Sequence, residues 1–191
     1  MHVPLRPTRG RRPGPPVTVR RAPDLPGLAR GTRGILRLGP LALACALGRS
    51  GIRPVKREGD GATPVGRFRV LALAIRGDRW RIPPRTPLAA HRIRRDDGWC
   101  DAPADPAYNL PVRLPHRASA EAMWRDDRLY DAVVVIDCNV TERGRHRGSA
   151  VFWHVARPGL SPTEGCIALP PAAMRRVLPH VRRGRPVVVM G

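Results

Sequence analysis

Apolar positions in this chain come in short runs separated by Pro, Gly and Arg, and most of those runs have strand length and strand composition. From Thr32 onward, "GILRLG" and "LALACALG" read as two strands about a Gly-Pro turn. "RFRVLALAIR", the β-branched "DAVVVIDCN", "GSAVFWHV" and the closing "RPVVVMG" read as four more. Between them, "RSGIRPVKREGDGATPVGRF" is a long polar loop, "RWRIPPRTPLAAHRI" is extended and broken by proline, and "RRDDGWCDAPADPAYNLPV" leaves little room for regular structure. Two segments predict helices. "HRASAEAMWRDDRLY" has Ser119 as N-cap and Glu121 in the first turn, and "PPAAMRRVLPHV" has Pro171 at its start and Pro179 near its end. Residues 1–30 are Pro, Arg and Gly with little apolar pattern and read as a disordered basic tail. The expectation is a mainly β domain over 31–191, a compact sandwich or open barrel of mixed strands with two short helices.

Composition sharpens this picture more than it changes it. The 191 residues suffice for one domain with a real core, and 23 prolines with 19 glycines favour short strands and turns over long helices. The net charge of +20 favours polyanionic partners such as nucleic acid, anionic lipid or an acidic wall polymer. The basic residues are almost all arginine, Lys56 being the one lysine, and they are scattered. With aromatics at only 4%, they do not form the clustered, aromatic-interleaved surface of a specific nucleic-acid reader. Cys45, Cys100, Cys138 and Cys166 form no C-x-x-C pair and no dense disulfide framework, and Cys45 and Cys138 read as small strand residues. No stretch is long and apolar enough to span a membrane, and no export signal is evident.

The chemistry concentrates in "FWHVARPGLSPTEGCIALP". His154 ends an apolar run and Cys166 opens the next, with a Pro- and Gly-rich loop between them. A loop of that size brings its ends together at modest entropic cost. A cysteine attacks carbonyls only as the thiolate, and a neighbouring imidazole can take its proton. Gly165 permits a tight turn and close substrate approach, and the N–H groups at Gly165 and Cys166 can face a developing oxyanion. The same pair also fits ordinary burial in a core, and spacing alone leaves both readings open. Thr163 serves either the oxyanion region or the turn itself. Asp60 is read as the organiser of the "EGDG" loop through bonds to backbone N–H groups. His91 is read as packed or exposed, and Trp99, Cys100, Asp101, Tyr108 and Asn109 as shaping a loop near the site.

The wider pattern resembles the L,D-transpeptidase catalytic domain, also called the YkuD-type domain. "EGDGATPVGRF", "GWCDAPADPAYNLPV" and "TEGCIALP" after "GSAVFWH" carry the resemblance, from about Gly34 to Val189. It implies a β-sandwich with Cys166 as nucleophile and His154 as proton acceptor and donor. Gly165 belongs to the same catalytic signature, and Ser161, Thr163 and Glu164 are the substrate-side candidates. The implied substrate is a peptidoglycan stem tetrapeptide. It is attacked between its third residue and the terminal D-Ala, with an amine capturing the thioester; capture by water makes the enzyme an L,D-carboxypeptidase. The resemblance also implies inhibition by carbapenems, no cofactor, and a periplasmic or cell-envelope location. The sequence departs from the family at Glu164, where many members carry His, and at Ala168, where many carry Arg or Asn. Arg143, Arg145 and Arg147 are either a substitute clamp or a solvated loop. Three other readings are a non-enzymatic polyanion binder, a catalytically silent relative, and a metal site drawing on His154, Cys166 and either Cys100 or Cys138.

Overall fold

The computed structural model describes residues 14–24, 31–83 and 85–191. Its strands are β1 (Val17–Arg21), β2 (Arg33–Leu38), β3 (Leu41–Ala46), β4 (Ile52–Arg53), β5 (Thr63–Pro64), β6 (Gly66–Ile75), β7 (Ala90–Arg92), β8 (Asp97–Cys100), β9 (Pro111–Arg113), β10 (Ala120–Ala122), β11 (Ala132–Ile136), β12 (Phe152–Val155), β13 (Ile167–Leu169) and β14 (Pro186–Met190). The principal sheet runs β11-β12-β13-β3-β2-β1-β14-β6-β7, and β6 also pairs with β11. The ten-residue β6 makes this possible. Gly66–Arg69 pair with β14, while Val70–Ile75 pair with β11 around a bulge at Val135 and Ile136. The sheet thus closes on itself, and eight strands have no free edge.

The two faces of this closed sheet hold two cores. Inside lie Leu36, Leu38, Cys45, Leu47, Val134, Trp153, Ile167 and Leu169. Met174 and Val177 of α1 (Pro171–Val177) and Leu178 of the 3-10 turn that follows complete it. Alternation along the strands sends Val133, Val135 and Phe152 to the outer face. There they meet Trp99 from a small sheet ordered β10-β8-β9 and Met123 just after β10, with Tyr130 beside them. Trp99 and Phe152 stack edge to face at 4.9 Å between ring centres. All five residues of β11 are buried, as expected for a strand covered on both faces.

The mainly β class and helix α1, with Pro171 at its start, agree with the sequence reading. Three elements differ from it. First, Val17–Arg21 lies within the segment expected to be a tail, yet forms β1, inserted between β14 and β2. Val17 and Val19 are fully buried, and that burial offsets the entropy of ordering five residues. Residues 1–13 and 25–30 of that segment lie outside the described residues. Second, "GWC" and "PVR" are paired strands, β8 and β9, rather than loop. Third, the helix expected over 116–130 is the strand β10 followed by turns. Ala120 pairs with Cys100 and Glu121 with Trp99, and Met123, two positions beyond Glu121, is buried in the outer core. The period-two placement of Glu121 and Met123 on one side wins over the helix propensity of "AEAM".

Candidate active site

The cysteine and the histidine come to one face of the sheet because β12 and β13 lie side by side and parallel. Trp153 pairs with Ile167 and His154 with Ala168. The intervening loop crosses over through the 3-10 turn Pro158–Leu160 and returns Cys166 to the start of β13. Trp153 and Ile167 point into the inner core. His154, Cys166 and Ala168 therefore share the outer face, where all three line a cavity of about 370 Å³. Cys166 is 9% exposed. Its Sγ accepts the Phe152 N–H at 3.2 Å, and its S–H donates to the Ala150 carbonyl at 3.1 Å. Nδ1 of His154 lies 2.8 Å from the Val155 carbonyl. With the proton on Nδ1, that contact is a donated hydrogen bond and Nε2 is left basic.

Burial sets the resting protonation of both. It pushes the Cys166 thiol up to about 12, against the opposing Phe152 N–H. It holds the His154 imidazole down at about 4, against the Val155 carbonyl. Across the neutral range the pair is thiol and neutral imidazole. Between pH 6.5 and about 4 the unfolded chain takes up a proton on His154 that the folded chain does not. Stability therefore falls as pH drops through that window, by about 3 kcal/mol from this group. Urea unfolding of wild type and His154→Gln across the window isolates the histidine. The Gln variant is expected to lose that part of the acid sensitivity.

A polar wall stands opposite. The Tyr130 hydroxyl donates to Glu121 Oε1 at 2.7 Å, and the Tyr130 ring meets His154 edge-on at 5.4 Å between centres. Arg125 grips Asp127 with two bonds, at 2.9 and 2.8 Å, and reaches Glu121 at 3.5 Å. Burial pushes the Glu121 carboxyl up, with the tyrosine and arginine opposing it. Tyr130→Phe removes one donor from this half-buried carboxylate and is expected to cost about 1 kcal/mol in chemical unfolding. Sequence reasoning missed this group because Glu121 was assigned to a helix. The period-two Glu121 and Met123 pattern was the available signal.

The remaining expected site residues divide. Thr163 builds the turn: its hydroxyl donates to the Cys166 carbonyl at 2.7 Å and accepts the Gly165 N–H at 3.1 Å. That bond engages the Gly165 amide, which the sequence reading aimed at an oxyanion. Gly165 has φ +130°, and a Cβ there would stand 2.7 Å from the Ala62 carbonyl oxygen. Gly165→Ala is expected to cost about 1–3 kcal/mol and to lower the melting temperature. Glu164 lines the cavity, but its exposed carboxylate pairs with Arg49 at 2.8 Å. Ser161 is an exposed lining residue with its hydroxyl 3.4 Å from the Pro158 carbonyl. His91 sits on β7, away from the lining residues, and Arg143, Arg145 and Arg147 are exposed and do not line this cavity. Asp60 takes the Arg57 and Ala62 N–H groups, as the loop reading expected.

Asn109 bonds Trp99 Nε1 at 2.8 Å and the Ala150 N–H at 3.0 Å. It thereby fixes the residue whose carbonyl receives the Cys166 thiol. Asp101 also lines the cavity. A metal site at His154 and Cys166 finds no counterpart among the described residues. The grouped ligand types are instead Cys100, Asp105 and His116, where Arg117 occupies the Asp105 carboxylate at 3.1 Å.

A thiol and a basic imidazole nitrogen on paired strands, facing one polar cavity, are the parts that cysteine-dependent acyl transfer uses. The family model of the L,D-transpeptidase catalytic domain matches residues 29–189, and the chain belongs to that family. Among solved structures, an L,D-transpeptidase from Mycobacterium smegmatis is 15% identical, with a TM-score of 0.39, over 92% of this chain and 58% of that one. L,D-transpeptidase 3 from Mycobacterium tuberculosis, in complex with a faropenem-derived adduct, is 18% identical, with a TM-score of 0.40, over 93% of this chain and 61% of that one. The chain thus spans about three-fifths of the length of these structures. Comparison with curated proteins finds no match.

Proposed function

We propose that the protein is a cysteine acyltransferase acting on peptidoglycan stem peptides, an L,D-transpeptidase with Cys166 as nucleophile and His154 as general base and acid. The observation that carries this reading is the placement of both side chains on one face of paired β12 and β13, lining one cavity.

Because burial keeps the pair neutral at rest, the thiol proton moves to His154 Nε2 as Sγ attacks the carbonyl between the third stem residue and D-Ala. The Sγ–C bond forms, the C–N bond breaks, and the imidazolium returns the proton to the departing D-Ala amine. An amine of a second stem peptide then attacks the thioester and gives its proton to His154. The C–S bond breaks, and the thiolate recovers that proton. Ser161 and Glu164 stand on the rim as substrate contacts, while Thr163 and Gly165 shape the turn that presents Cys166. No metal or organic cofactor enters these steps. The +20 charge suits an anionic wall polymer, and a cell-envelope location follows from the substrate. Among the described residues no helix is long and apolar enough to cross a membrane.

Incubation with a disaccharide-tetrapeptide tests the reading. D-Ala release with a crosslinked dimer supports transpeptidation, and accumulation of tripeptide shows that water is the acceptor. A folded protein that releases no D-Ala overturns the proposal.

A further inference from the structure

Among 35 basic residues the chain has a single lysine, and it lines the cavity that holds the candidate nucleophile. The Lys56 side chain is 9% exposed. Its stem crosses Gly148, where a Cβ would stand 2.7 Å from Lys56 Cγ, and its Nζ ends 3.4 Å from where a Cβ of Gly165 would be. Both glycines have positive φ, +90° and +130°, so the channel is built from backbone that other residues rarely adopt. The ammonium pairs with Asp60, whose carboxylate is itself fixed by the Arg57 and Ala62 N–H groups at 2.7 and 2.8 Å. Lys56 lines the Cys166 cavity and also a neighbouring groove that contains Cys138. The other cations on the cavity wall are committed elsewhere. Arg125 holds Asp127 and Glu121, and Arg157 reaches Asp127 at 3.7 Å.

We infer that Lys56 is a positioning residue for the acyl transfer, its ammonium held against Gly165 to offset the negative charge that develops on Cys166 Sγ. This rests on the reading of Cys166 as the nucleophile. The groups facing the thiol divide by sign. Glu121 on β10 opposes a thiolate, while Lys56 and the Phe152 N–H favour it. Tyr130 and neutral His154 line the same cavity. Asp60 tempers the lysine by holding its charge in place and partly neutralising it.

The test is the rate at which iodoacetamide alkylates Cys166 near pH 8, read by intact mass and peptide mapping, in wild type, Lys56→Met, Lys56→Arg and Asp60→Asn. Loss of a nearby cation raises the thiol further, so Lys56→Met is expected to slow alkylation about tenfold. Lys56→Arg keeps the charge and retains most of the rate. Asp60→Asn releases the lysine from its partner and speeds alkylation. An unchanged rate in Lys56→Met, or equal losses in the Met and Arg variants, overturns the inference. If Lys56→Met does not fold, Asp60→Asn decides it, and a rate at or below wild type counts against the lysine. Alkylation needs no stem peptide. A wild type that releases no D-Ala but shows these rate changes therefore refutes the proposed substrate while leaving the role of Lys56 standing.

Discussion

Cys166→Ala is expected to abolish D-Ala release from a disaccharide-tetrapeptide, with a loss in turnover on the order of 10⁶, down to background. The size of this effect follows from the role. No other thiol among the described residues lines the cavity with His154, and Cys45 and Cys138 are buried thiols pushed up to about 12. The variant should remain folded. It removes one sulfur from a nearly buried site and leaves the Phe152 N–H and the Ala150 carbonyl without that partner, at a cost of about 1 kcal/mol. Loss of turnover with the unfolding transition nearly unmoved separates chemistry from stability. Residual turnover within tenfold of wild type would remove Cys166 from the mechanism.

His154→Gln is expected to lower acylation by about 10²–10⁴, the usual contribution of a positioned general base. Glutamine can still donate toward the Val155 carbonyl, but it cannot accept the thiol proton. The pH profile carries the sharper signature. The imidazole stays neutral down to about pH 4, so the acid limb of kcat/KM should lie near that value rather than near 6.5. The sign is fixed: the active form is the unprotonated base, present above about pH 4 and lost below it. A profile falling already at pH 6.5 would mean that His154 is solvated in the working enzyme.

The fold was largely legible where apolar runs are long and local. β2, β3, β6, β11, β12 and β14 each match a run read directly from the chain. So does the crossover that carries His154 to Cys166, because a cysteine and a histidine at opposite ends of a Gly/Pro loop form a local pattern. β1 was not legible. Its five residues sit among Arg and Pro, and one of its two partners, β14, is distant, with Val17 pairing Val187. The helix expected around Ser119 failed because propensity is a weak prior, and the pairing of Glu121 with Trp99 is a tertiary fact. That miss hid Glu121, Tyr130 and Arg125 from the site. Lys56 was visible as a count of one, but its burial against Gly148 and Gly165 depends on how the polar loop folds.

The measurement that tests the central claim most directly is the intact mass of the protein after incubation with a carbapenem, for wild type and Cys166→Ala. The account predicts one stoichiometric adduct on wild type, mapped to the peptide containing Cys166, and none on the variant. An adduct on both proteins, or none on a folded wild type, contradicts it.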